Sequence, residues 1–120
     1  VIYIYMKELT SLDYCKLIAW LTYHKYNVIL SKIQMQNILF MCYEQYLVSH
    51  NSPLFNDDVL KECLFGHVFP RSYKRYLYGV PEELTVSEKE RFLKDKDTLR
   101  MITRTVEDYY GYFFSVVDSF

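Results

Sequence analysis

The side chains able to do chemistry are few and scattered along the chain. His24, His50 and His67, with Cys15, Cys42 and Cys63, are the histidines and cysteines of the 120 residues. Only Cys63 and His67 are close in sequence, and Gly66 between them weakens a shared helix face. Zinc sites announce themselves by paired ligands at short spacing, and no such pairs are present. Buried thiols and isolated imidazoles are the simpler reading, so no metal and no cofactor is expected. A nucleophilic mechanism needs a Cys or Ser beside a positioned base. With glycine only at Gly66, Gly79 and Gly111, neither a nucleophile elbow nor a glycine-rich phosphate loop can be built. Asp57-Asp58 and Glu82-Glu83 are acidic pairs, but adjacent carboxylates at turns are expected to be solvated caps. No catalytic residue is assigned and no enzyme is expected.

One cluster is left. Arg71, Lys74 and Arg75 are interleaved with Tyr73, Tyr76 and Tyr78. Such a cluster can bind phosphate backbones with ring stacking. Net charge is −1, so no global field attracts nucleic acid or an anionic membrane, and a solvated basic face beside buried tyrosines is favoured. An acidic protein partner also fits, because Tyr and Arg are typical interface anchors.

The elements that position this cluster read as helices. Hydrophobic content of 51% with 24% charged residues describes one globular domain over 1–120. The 13 Tyr and 8 Phe are unusual, and suit half-buried sites or interfaces. Three cysteines without framework spacing fit reduced thiols in a cytoplasmic protein. No apolar run is long enough to span a bilayer. Met6 resembles a natural start, so residues 1–5 are expected to be an upstream arm or an addition.

Thr10 or Ser11 should cap a first helix that is apolar on nearly all sides and ends near Tyr26-Asn27. Ser31 should cap a second, with Met35, Ile38, Leu39, Phe40, Cys42, Tyr43, Tyr46 and Leu47 on one arc. Gln36 falls inside that arc, so its amide should hydrogen-bond backbone in a neighbouring loop. His50 to Pro53 should end the helix, and residues 57–65 should form a short strand or a helical turn. Pro70 should open a third helix, Arg71 to Tyr78, stopped at Gly79-Val80-Pro81. Ser87 should cap a charged helix from Glu88 to Lys96. Asp97-Thr98 should cap a last one, carrying Leu99, Ile102, Val106, Tyr109 and Phe113, interrupted at Gly111. The apolar end, Phe113, Phe114, Val116, Val117 and Phe120, should dock on the core or form a partner surface. The fold expected is mainly α, with five to six helices and a minor β element near 59–65 or the N-terminus.

Within this frame Met35-Gln36-Asn37-Ile38-Leu39-Phe40, Pro53-Leu54-Phe55 and Cys63-Leu64-Phe65-Gly66-His67-Val68-Phe69-Pro70-Arg71-Ser72-Tyr73 form a sequence of motifs. Together they resemble the Panacea domain family of SocA-like, phage-associated antitoxins. The matching positions are Gln36, Leu39, Pro53, Leu54, Phe55, Gly66, Val68, Pro70 and Tyr73, read as scaffold. Asn37, Cys63 and His67 depart from the family's Lys, Trp and Pro, and the family's segment beyond the final helix is not in this sequence. The resemblance implies a non-enzymatic protein that neutralises a toxin by steric masking, in a bacterial or phage-infected cytoplasm, often from a prophage. The expected anchors are Arg71, Tyr73, Lys74, Arg75 and Tyr76, with Phe113, Phe114 and Phe120 at the tail. Two alternatives keep the scaffold: an anti-CRISPR-like inhibitor of a host defence nuclease, and a nucleic-acid-binding domain. A homodimer through the aromatic surface is a further expectation.

Overall fold

Three helices begin with the same local device. Thr10, Ser31 and Thr85 each accept a hydrogen bond from the backbone N–H three residues on, and Asp13, Gln34 and Glu88 reach back to the cap's own N–H. These reciprocal bonds satisfy donors that a helix start leaves open. They fix α1 (Ser11–Tyr26), α2 (Lys32–His50) and α4 (Val86–Leu93) in a computed structural model that describes residues 7–64 and 66–118, with 112–118 as backbone only. Asn27 and Asn51 end α1 and α2 in the left-handed conformation that asparagine tolerates. The expectation about residues 1–5 lies outside the described residues.

Between α2 and α4 the chain forms a hairpin, β1 (Lys61–Cys63) antiparallel to β2 (Gly66–Val68), with Cys63 opposite Gly66. This settles the choice between strand and helical turn in favour of strand. Gly66 has φ +115°, a backbone region closed to most side chains. Next comes α3 (Pro70–Arg75), with Pro70 at its first position. The long α5 (Lys96–Asp118) closes the fold.

The core lies where α1 meets α2, α3 and α5. Cys15, Ile18, Met35, Ile38, Leu39, Cys42, Phe55, Phe69, Ile102 and Val106 are fully buried there. Phe55 and Phe69 meet edge-on at 4.9 Å between ring centres, and Tyr43 packs against both. Burying one such ring contributes about 2–3 kcal/mol, so the Pro53-Leu54-Phe55 loop is a core element and not a surface excursion. Leu47, placed on the apolar arc by the periodicity, lies past the core and is exposed.

Several boundaries differ from those expected, each for a local reason. α4 is capped by Thr85 rather than Ser87, because Thr85 has Glu88 at capping-box spacing, and it stops at Leu93. Asp95 then caps α5: it takes the Thr98 N–H at 3.1 Å and the Thr98 hydroxyl at 2.6 Å. α5 runs straight through Gly111, since one glycine costs a helix only about 1 kcal/mol. α3 ends at Arg75 rather than Tyr78. There the chain turns extended so that Tyr76 can enter the core, where its hydroxyl donates to the Leu30 carbonyl at 2.6 Å.

α3 is held by a buried polar junction. Gln36 accepts the Phe69 N–H at 2.8 Å and donates to the Ser72 hydroxyl at 3.0 Å, the loop contact its place on the apolar arc requires. Asp58, only 5% exposed, accepts the Arg71 N–H at 2.9 Å, the Ser72 N–H at 2.7 Å and the Ser11 hydroxyl at 3.0 Å. Asp57 takes the Ser11 N–H at 2.9 Å. The Asp57-Asp58 pair is therefore no solvated cap: it joins α1 to α3. Asp58→Ala leaves these buried donors unmet and is expected to cost about 2–4 kcal/mol, read as a lower urea midpoint at unchanged slope.

Candidate partner-binding surface

α3 presents Arg71, Lys74 and Arg75, at helical spacing, on one exposed face. Arg71 is engaged, its guanidinium 3.3 Å from the Asp57 carbonyl and 4.0 Å from the Asp57 carboxylate. Among the described residues Lys74 and Arg75 have no ion-pair partner. Tyr73 is half-buried, with the Lys32 ammonium 5.1 Å from its ring centre. Tyr76 faces inward and is 8% exposed, so it cannot serve as a surface anchor in this fold. Its removal would empty a core site. Phe113 and Phe114 lie on the last turns of α5, and Phe120 lies outside the described residues.

Beyond α3 the chain becomes an extended strap, residues 76–85, without helix or strand. Here, and just into α4, large apolar groups face water: Leu77 is 79% exposed, Tyr78 69%, Val80 63% and Val86 72%. Scattered exposed apolar residues are ordinary; four within ten positions, adjoining two uncompensated cations, make a patch. Among the described residues the backbone of 77–84 makes no protein hydrogen bond. Behind the strap runs a groove of about 410 Å³, with Leu12, Lys16 and Ala19 of α1 on one wall and Tyr78, Val80 and Leu84 on the other.

A clamp holds the strap to α1. The Trp20 indole N–H donates to Glu83 Oε2 at 3.0 Å, and His24 Nε2 lies 2.9 Å from Glu83 Oε1. The Trp20 and His24 rings pack at a 47° tilt with centres 4.5 Å apart, and the Lys89 ammonium sits 5.6 Å from the indole ring. The Trp20 hydrogen bond, with help from His24 and Lys89, holds the Glu83 carboxyl below the usual carboxylate range. Nothing in the spacing of Trp20, His24 and Glu83 marks this clamp in the sequence. Leu77 and Val80 are equally silent, since only the early end of α3 turns them outward.

The groups weighed for catalysis or metal binding are placed otherwise. Cys15 and Cys42 are fully buried, and burial pushes both thiols up to about 12, so both stay protonated at neutral pH. Cys63 is half-buried, its thiol donating to the Gly66 carbonyl at 3.0 Å, and His67 stacks on Phe40 at 5.7 Å. Among the described residues no three His, Cys, Asp or Glu side chains converge as metal ligands, and no helix is long and apolar enough to cross a membrane. Of the positions read as scaffold, Leu39, Leu54 and Phe55 lie in the core, Gln36 in the junction, and Pro53, Val68 and Pro70 half-buried around it. Comparison with known protein families, with curated proteins and with solved structures returns no match.

Because Glu83 has a depressed pKa, the clamp's contribution is full above the ordinary carboxylate value and is lost as pH falls through the lower, folded value. Trp20 is the single tryptophan, so its emission reports the clamp. Acid titration should shift that emission with a midpoint below the ordinary carboxylate value, and Glu83→Gln should abolish the step while far-UV circular dichroism is unchanged.

Proposed function

We propose that this chain is a non-enzymatic protein-binding module that neutralises a partner toxin by covering its active surface. The single observation that supports this most is the strap: exposed Leu77, Tyr78 and Val80, following Lys74 and Arg75, which have no ion-pair partner among the described residues, on a helical support. Aromatic and arginine side chains on such a patch are the residues that dominate protein interfaces. The partner surface that suits them is apolar with acidic groups at one end. The likeness of residues 31–73 to Panacea-type antitoxins supports the same reading and gives the partner class. Its matching positions build the support, while Lys74, Arg75 and Tyr78 make the contact.

Nucleic acid is a poorer fit for this surface. Three cations on one short helix, one of them engaged by Asp57, neutralise few phosphates.

Co-expression with small toxins encoded beside the gene tests the proposal. Tyr78→Ala and Arg75→Glu are exposed changes that should leave the melting temperature unchanged. Each should weaken toxin binding by about 30-fold or more and reduce rescue from growth arrest. Tyr76→Ala should instead lower the melting temperature and reduce rescue only through folding. Rescue that survives both exposed substitutions would remove the strap from the interface.

A further inference from the structure

The strap carries a pattern that its partner-binding role does not require. Reading outward from Gly79, one side runs Tyr78, Leu77, the inward-facing Tyr76, then Arg75 and Lys74; the other runs Val80, Pro81, then Glu82 and Glu83. Apolar groups flank the glycine on both sides, cations end one arm, and carboxylates end the other. A segment of this kind is complementary to itself when turned antiparallel.

We infer that two copies of this chain associate through their straps, antiparallel about a two-fold axis at Gly79. In that arrangement Arg75 and Lys74 of each copy lie alongside Glu82 and Glu83 of the other. Leu77 and Tyr78 pack against Val80 and Pro81. A two-fold interface is isologous, so each of these contacts is made twice.

Three observations carry the inference independently of the sequence pattern. First, charge is left over where the second copy would supply its opposite. Among the described residues Lys74, Arg75 and Glu82 have no ion-pair partner within their own chain. Second, the backbone donors and acceptors of 77–84 make no protein hydrogen bond among the described residues, and an extended neighbour is the partner such groups accept. Third, nothing lies within 4 Å of where a Cβ on Gly79 would sit, so a second backbone can approach the proposed axis. The clamp from Trp20 and His24 to Glu83 fixes the strap in place before the copies meet, which lowers the ordering cost of association.

Two straps of this length bury on the order of 1,000 Å² together, the small end of specific interfaces, so the dimer should be reversible and micromolar. The inference stands on the strap alone and holds whether or not a toxin is the physiological partner. Sedimentation of the purified chain from about 10 to about 500 µM spans the range for such an interface and should show reversible monomer–dimer exchange. Lys74→Glu in one protein and Glu82→Lys in another place like charges across the axis. Each alone should weaken dimerisation at least about tenfold, the effect of roughly 1.4 kcal/mol. An equimolar mixture of the two should dimerise again as a heterodimer, because every charge then meets its opposite. These positions are exposed, so circular dichroism should not change. A monomer at every concentration would overturn the inference. So would a dimer that neither variant weakens, which would place association elsewhere on the molecule.

Discussion

The fold turns on a few buried hydrogen bonds between side chains far apart in sequence. Gln36, inside an otherwise apolar helix face, holds Phe69 and Ser72; Asp58 holds the first turn of α3 and the Ser11 hydroxyl. Hydrophobic burial alone is non-directional and would let α3 slide or rotate on α1. Polar groups removed from water must be paired in one geometry, so the junction selects a single seat for α3. With α3 fixed, Tyr76 is drawn inward to the Leu30 carbonyl, and the residues after it must leave the helix as an extended strap. The exposed Leu77, Tyr78 and Val80 follow from that turn.

The high tyrosine content divides accordingly. Tyr14, Tyr76 and Tyr110 are core residues, and burial raises the pKa of each hydroxyl. Tyr78 is among those left in water, a few residues after two cations without ion-pair partners among the described residues. What separates the buried Tyr76 from the exposed Tyr78 is therefore position relative to one unwound helix end, not residue type. Under both proposals the strap takes one occupant at a time: a second copy shields it in isolation, and a partner bound there would draw on the monomer.

Local signals in the sequence suffice where one interaction decides the outcome. The caps at Ser31 and the left-handed Asn27, the break before Pro53, the place of Pro70 and the need of Gln36 for a loop partner all follow from a few neighbouring residues. The misplaced features depend on contacts across the chain. Asp58 looks like a solvent-facing turn residue until Ser11 and the α3 N-terminus are brought to it. Tyr76 continues a basic aromatic helix in sequence, and only its bond to Leu30 shows that the helix stops first. The clamp joins residues on α1 to one more than fifty positions away, beyond any periodicity. Ser87 and Asp97 have cap residue types, but Thr85 and Asp95, two positions earlier, have the cap geometry.

The central claim is that the Gln36–Asp58 junction is part of the cooperative core and thereby fixes the displayed surface. Native-state hydrogen exchange of the Phe69, Arg71 and Ser72 amides tests this directly, because these are the N–H groups that Gln36 and Asp58 accept. The account predicts that all three exchange only through global unfolding, with the same opening free energy as Ile38 and Ile102 in the core. Exchange of these amides through a local opening, well below the global free energy, would contradict it: α3 and the strap would then be loosely held, and the surface they present would not be a fixed one.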